Sequence, residues 1–153
     1  MPTLTIKLEG GDDLLEVDAA SDIESQIRDE LELKEDIETP DWEIVGEYEG
    51  WGDIDPSALA PRDLQRVAEA IDIHGDSFIA FYLEFGDISH YANSYCGEYA
   101  NEEVFAETQF TSTRRIPQDI IEYIDWRRVA RDLRDAFRYV DAPSGRIYVF
   151  GLW

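Results

Sequence analysis

An excess of carboxylates constrains this chain more than any other feature of its sequence. The 153 residues include 35 Asp and Glu but 13 Lys and Arg, which gives a formal net charge of -22. A charge of this size exceeds what solubility requires of a small domain, and self-repulsion destabilises a compact state that carries it. Hydrophobic residues still make up 44% of the chain, enough for a packed core. We therefore expect a folded protein whose acidic surface has a function.

The charge is unevenly distributed along the chain. Residues 1–110 carry 29 acidic and 5 basic side chains, whereas residues 111–153 carry 6 acidic and 8 basic side chains. A polyanionic body followed by a weakly basic end favours self-association or docking within the chain.

Cysteine content and hydropathy indicate the compartment. The single cysteine, Cys96, excludes an internal disulfide and fits a reducing environment. The N-terminus lacks a basic region followed by an apolar run, and no stretch approaches 18 apolar residues. We expect a cytoplasmic protein without a membrane segment.

The first predicted lobe, residues 1–55, has the layout β-β-α-β. Alternation over Thr3–Leu8, a turn at Gly10–Asp13 and a short run at Leu14–Val17 predict a hairpin. A third strand begins at Trp42 and ends before Gly50.

The predicted helix of this lobe has an acidic outer face. Ser21 and Glu24 match a capping box, and Ile23, Ile27 and Leu31 recur on one face of a helix that reaches about Lys34. Its other positions are mainly acidic: Asp22, Glu24, Asp29, Glu30, Glu32 and Glu35.

The second predicted lobe, residues 56–110, is acidic and mainly helical. Pro61 suits the first position of a helix that Gly75 ends. The apolar run of Asp76–Phe85 predicts the most buried helix of the chain. Asn101 is the expected N-cap of a third helix that ends near Phe110.

The third predicted lobe, residues 111–153, is α+β and ends in a hairpin around Pro143–Gly145. After a link at Thr111–Arg115, Pro117 begins a helix that either continues or bends near Asp125. Four arginines recur at helical spacing and are candidates for dimerisation or intramolecular docking: Arg127, Arg131, Arg134 and Arg138. The attached polyanion repels nucleic acid, so pairing with carboxylates of this chain or a second copy is the favoured interpretation.

Catalysis is the weakest of the function classes considered. Paired carboxylates for acid–base chemistry are the one available route, and the sequence holds too many carboxylates to select a pair. Cys96 and His90 lack a recognisable third group, and no calcium-loop spacing occurs. We expect no catalytic residue, no cofactor and no metal.

A set of short motifs, in a particular order and spacing, resembles the ArdA family of antirestriction proteins over Glu47 to Phe150. The motifs are Tyr48-Glu49-Gly50, Tyr95-x-Gly97-Glu98-Tyr99, Phe105-Ala106-Glu107, Tyr123-Ile124-Asp125-Trp126, Ala130-Arg131-Asp132-Leu133 and Tyr148-Val149-Phe150. Members of that family are carried by plasmids, transposons and phages.

The resemblance implies an elongated, three-lobed α+β protein that mimics DNA. Such a protein is a dimer joined through its C-terminal lobes, and it occupies the DNA groove of type I restriction-modification enzymes. Eight carboxylates are the candidate mimic surface: Glu84, Asp87, Glu98, Glu102, Glu103, Glu107, Asp119 and Glu122. Two alternatives stay open: an acidic adaptor for another basic DNA-binding protein, and acidity that reflects adaptation to salt.

Overall fold

The computed structural model describes residues 1–11, 13–34 and 36–153, and the chain divides into two compact units, residues 1–83 and 84–153. Each unit combines helices with a small antiparallel sheet, which confirms the α+β class. The division into three lobes stays a prediction.

The sheet of the first unit is built on the predicted hairpin. Strands β1 (Thr3–Leu8), β2 (Leu14–Asp18) and β3 (Trp42–Glu49) pair antiparallel in the order β2-β1-β3. Leu4 and Ile6 alternate with half-exposed residues and are fully buried, so one face of β1 belongs to the core. In the predicted turn, Asp12 lies outside the described residues.

Helix α1 (Ile23–Leu31) is shorter than predicted and has a different cap. The N-cap is Asp22, whose Oδ1 accepts from the backbone N–H of Glu24, while the Ser21 hydroxyl donates to Asp18. The predicted capping box is therefore wrong by one residue. Glu32 adopts a left-handed conformation with φ of 52°, which ends the helix before Lys34. Glu35, predicted on the acidic face, lies outside the described residues.

Helices α2 (Pro61–His74) and α3 (Asp76–Phe85) follow a short 3-10 turn. Pro61 begins α2 and Gly75 caps its end, as predicted. As predicted, α3 is the more buried of the two: seven of its ten residues are buried or half-buried, against six of fourteen in α2, although Leu83 is 51% exposed.

The second unit closes a three-stranded sheet around the C-terminal hairpin. After α4 (Tyr91–Ser94), strands β4 (Tyr95–Tyr99), β5 (Phe137–Asp141) and β6 (Ile147–Gly151) pair in the order β4-β6-β5. The terminal hairpin is confirmed, whereas β4 was not predicted.

The remaining helices of this unit are α5 (Glu102–Thr113), α6 (Gln118–Ile121) and α7 (Trp126–Asp132). Asn101 caps α5 as predicted, but the helix runs three residues into the predicted link. Of the two alternatives after Pro117, the break is correct: Asp125 caps α7, and its side chain accepts from the backbone N–H of Arg128.

Candidate protein-binding surface

The eight carboxylates predicted as a mimic surface all lie in the second unit. Three are on α5, and the others are Glu84 in α3, Asp87 in the next loop, Glu98 in β4, Asp119 in α6 and Glu122 directly after it. Six of the eight are exposed, and Asp87 and Glu102 are half-buried. Every one of them can therefore reach a partner or solvent.

Helix α5 carries three of these carboxylates, two of them in its first turn. Asn101 Oδ1 accepts from the backbone N–H of Val104 at 2.9 Å, which satisfies one of the unpaired donors at the helix start. Glu102 and Glu103 lie in the first turn, where the helix dipole favours negative charge. Phe105 is buried, so the helix packs through that side and presents Glu103 and Glu107 outward.

Three predicted arginines contact three of these carboxylates within the second unit. Arg134 Nη2 donates to both oxygens of Glu102, at 2.9 and 2.8 Å. Arg127 Nε lies 3.4 Å from Glu103 Oε1, and Arg138 pairs with Glu84.

The arginines do not form a single helical stripe. Arg127 and Arg131 lie on α7, but Arg134 lies in the following 3-10 turn and Arg138 on β5. The predicted helical spacing is therefore wrong beyond Asp132. Arg131 lines an open hollow between α5 and α7, next to the paired glutamates.

Glu102 also influences a half-buried tyrosine. Tyr139 donates from its hydroxyl to the carbonyl oxygen of Ala130 at 3.0 Å and packs edge-on against Phe105. Burial and the nearby charge of Glu102 raise the pKa of Tyr139 to about 12. The hydrogen bond from Arg134 to Glu102 raises the pKa of that guanidinium as well. Glu102 is thus part of the packing between α5 and the elements after it.

Asp87 and Glu98 are also engaged within the unit. Partial burial would raise the pKa of Asp87, but hydrogen bonds from the backbone N–H and ring of His90 hold that pKa below its ordinary value. The ring of His90 stacks in turn on Trp153, with centroids 4.5 Å apart. Glu98 accepts from the hydroxyl of Ser144 at 2.6 Å. Five of the eight predicted carboxylates therefore already have a side-chain partner.

Most of the negative charge lies in the first unit, which the predicted surface omits. Residues 1–83 contain 23 acidic and 5 basic side chains, against 12 and 8 in residues 84–153. All the carboxylate residues that the structure describes are exposed or half-exposed, and none of those is buried. Counting charge per unit along the sequence would have indicated this region.

The outer face of the first sheet arranges carboxylates in two rows. Residues directly opposite each other in an antiparallel sheet share a face. The register places Glu16 opposite Thr5, Asp18 and Glu49 on either side of Thr3, and Glu43 opposite Lys7. Each edge strand therefore carries carboxylates on this face: Glu16 and Asp18 lie about 6.8 Å apart on β2, Glu43 and Glu49 lie on either side of a register irregularity on β3, and the two edge strands are about 10 Å apart.

Other kinds of site have little support in the described residues. No group of three or more metal-ligating side chains is found among them. Every helix within the described ranges is too short or too polar to span a bilayer. Desolvation raises the pKa of the exposed Cys96, which disfavours the reactive thiolate.

The fold and surface define a class of highly acidic α+β proteins that present carboxylates from small antiparallel sheets and their helices. A family model described as antirestriction protein (ArdA) matches residues 13–147, and the chain belongs to the ArdA antirestriction family. This confirms the resemblance and extends it into the first hairpin. The family is one of inhibitors rather than enzymes, and membership indicates interaction with restriction enzymes. No significant match is found among curated proteins.

Proposed function

We propose that this protein inhibits type I restriction-modification enzymes by occupying their DNA-binding groove as a mimic of DNA. Family membership supports an antirestriction role. One structural observation carries the mimicry: exposed carboxylates are concentrated in residues 1–83, where acidic side chains outnumber basic ones by 23 to 5.

The amount of charge is of the right order for a DNA substitute. Duplex DNA carries one negative charge per roughly 1.7 Å of axis, so the excess charge of the first unit matches about 31 Å of duplex. The two acidic edge strands add two rows separated by a less acidic strand, as two phosphate backbones are separated by a groove. Lys and Arg side chains in a DNA-binding groove contact phosphates mainly through their charge and position. Carboxylates at similar positions can therefore take the place of those phosphates.

The uneven distribution favours a binding surface over salt adaptation. Adaptation to salt would spread acidity evenly over the protein. Here the second unit holds 12 acidic and 8 basic side chains, and several of its carboxylates are paired within the chain. The first unit has the larger excess, so a basic partner would be attracted to it most strongly.

The test is competition between this protein and a cognate duplex for a purified type I restriction-modification complex, across a salt series. Mimicry predicts displacement of the duplex that weakens steeply as salt increases. A histone-like DNA-binding protein serves as the control partner. Equal displacement from that control would favour the adaptor alternative, and no displacement at any salt at which the protein is folded would refute the proposal.

The homodimer belongs to the same proposal. The family resemblance suggests association through residues 111–153, where Arg131 lines an open hollow beside α5. Sedimentation equilibrium of the wild type and of Arg131→Glu measures the oligomeric state of each directly. If the wild type stays monomeric at micromolar concentration, the dimer proposal is refuted, whereas the proposal that the protein occupies the DNA-binding groove is unaffected.

A further inference from the structure

A cleft of about 600 Å³ opens in the first unit, where the edge strand β3 begins. Thr39 and Pro40 line it just before the strand, Glu24 lines it from α1, and Pro61 and Leu64 line it from α2. Its volume lies within the range of about 300–1,000 Å³ that is usual for ligand sites. The cleft is therefore large enough to admit a side chain of another protein.

The cleft combines an aromatic ring with negative charge. Trp42 lines it and is half-buried, so part of the indole is accessible. Glu24 and Asp41 contribute carboxylates to the lining, and Glu43, which also lines the cleft, projects from the face of β3 opposite to that of Trp42. Among the described residues that line the cleft, the charged ones are these three carboxylates, and none is Lys or Arg.

This combination matches the chemistry of a guanidinium group. Guanidinium stacks on tryptophan faces through cation–π attraction and donates in a planar fork to carboxylates. Its apolar stem can lie along a wall such as Ile44 and Leu64. A lysine ammonium is a compact point charge without the flat face, so it fits the ring less well.

An unpaired hydroxyl in the lining is a further reason to expect a ligand with hydrogen-bond donors in the cleft. Thr39 Oγ1 is buried and has no hydrogen-bond partner among the described residues. A buried oxygen without a donor is energetically unfavourable. Rotation of the Thr39 side chain toward an incoming N–H group would satisfy it.

The second unit shows the same recognition completed within the chain. There Glu102 and Glu103 hold the guanidinium groups of Arg134 and Arg127 beside α5. The cleft in the first unit has comparable carboxylates, but its described lining contains no cation. A partner can supply the missing group.

We propose that this cleft binds an arginine side chain of the protein partner, with the guanidinium on Trp42 and beside the carboxylates of Glu24 and Asp41. The inference rests on the proposed function in that a basic groove supplies the arginine. The proposed contact adds one defined arginine site to an interaction that otherwise depends on overall charge.

The test titrates the full-length protein with the peptide acetyl-Gly-Arg-Gly-amide while the indole N–H resonances of its four tryptophans are followed by NMR. Trp42→Phe assigns the Trp42 resonance. The matched peptides contain citrulline, which keeps the shape without the charge, or lysine, which keeps the charge without the planar fork. Glu24→Gln reduces the charge of the cleft, and Glu107→Gln removes an exposed carboxylate of α5 as the control.

We expect a saturable shift centred on Trp42 with the arginine peptide, roughly tenfold weaker binding of the lysine peptide, and no binding of the citrulline peptide. Glu24→Gln should weaken arginine binding several-fold more than Glu107→Gln does. Equal shifts of all tryptophans, equal binding of lysine and arginine, or no shift would each overturn the proposal.

The outcome separates this inference from the proposed function. If the protein displaces DNA from the restriction enzyme but Trp42 does not respond to arginine, the mimic stands and the anchor fails. If Trp42 binds the arginine peptide while DNA is not displaced, the cleft stands and the partner is a different basic protein.

Discussion

Two double substitutions that change net charge equally should differ in their effect on inhibition. Glu16→Gln with Glu49→Gln neutralises carboxylates on opposite edge strands of the first sheet. Glu102→Gln with Glu103→Gln neutralises carboxylates that already contact Arg134 and Arg127. Both variants lose two negative charges, so a difference between them reports position rather than total charge.

The expected magnitude follows from the exposure of these side chains. Glu16 and Glu49 are exposed, and the structure gives neither an ion-pair partner among the described residues. An exposed ion pair contributes about 0.2–1 kcal/mol, so losing two should weaken competition with DNA by about 2-fold to 30-fold. The second variant should change competition by less than about 2-fold, because its carboxylates are partly neutralised by arginine.

The assay is displacement of a labelled cognate duplex from the type I enzyme at one moderate salt concentration, repeated at higher salt. The first variant should also show a shallower dependence on salt than the wild type, because fewer charges take part in the contact. If the α5 variant lost as much affinity as the sheet variant, the first unit would not be the main contact surface. If neither lost affinity, the charge-based reasoning would be wrong.

Three further predictions concern the fold and its titration. Gly50→Ala should lower the free energy of unfolding in urea by about 2–5 kcal/mol, because at φ of +82° a new Cβ would lie 2.7 Å from a backbone oxygen. Gly10→Ala, at φ of +83° with open space around it, should cost about 1–2 kcal/mol, and equal losses would contradict the steric argument. Because the pKa of Tyr139 is about 12 in the fold against 10.0 ordinarily, the unfolded state loses this proton first, and stability should fall as pH rises between those values. Tyr139→Phe should reduce that dependence without abolishing it, because burial also raises the pKa of Tyr82. Glu102→Gln should lower the phenol pKa of Tyr139 measured by absorbance, and an unchanged alkaline profile would refute both expectations. Asn101→Ala should cost about 1 kcal/mol and reduce amide protection in the first turn of α5, whereas unaltered hydrogen exchange would show that the cap is dispensable.

The sequence predicted those elements whose ends are determined by nearby residues. Pro61 and Gly75 bound α2 correctly, and Asn101 begins α5, because turn and cap chemistry acts within a few residues. The cap of α1 was misplaced because Ser21 and Asp22 are both suitable cap residues. In the structure the cap is Asp22, whose Oδ1 accepts from the backbone N–H of Glu24, while the Ser21 hydroxyl donates to Asp18.

Strand β4 was missed because its partner is distant in the chain. Tyr95 pairs with Phe150, and Gly97, at φ of +128°, lies next to an irregularity in the register. A short tyrosine-rich segment interrupted by glycine does not show the alternation that identifies a strand. Only the presence of β6 beside it gives the segment a sheet to join.

The acidic character of the surface was evident from the sequence, but the state of each carboxylate was not. The contacts of Arg127, Arg134 and Arg138 join residues 24, 32 and 54 positions apart. No local spacing rule covers such separations. The prediction of single contact residues therefore favoured the carboxylates nearest to the family motifs rather than those with the largest uncompensated charge.

This distinction determines where a basic groove would gain most from binding. In the second unit an incoming arginine has to compete with Arg134, which already holds Glu102 through two hydrogen bonds. Exchanging one guanidinium for another leaves the number of ion pairs unchanged. The first unit has 23 acidic residues and 5 basic ones, so most of its carboxylates face water and small ions. A cation from the groove would replace mainly these. The net gain per contact should therefore be larger over residues 1–83, whereas the paired carboxylates of α5 contribute chiefly to the packing of the second unit.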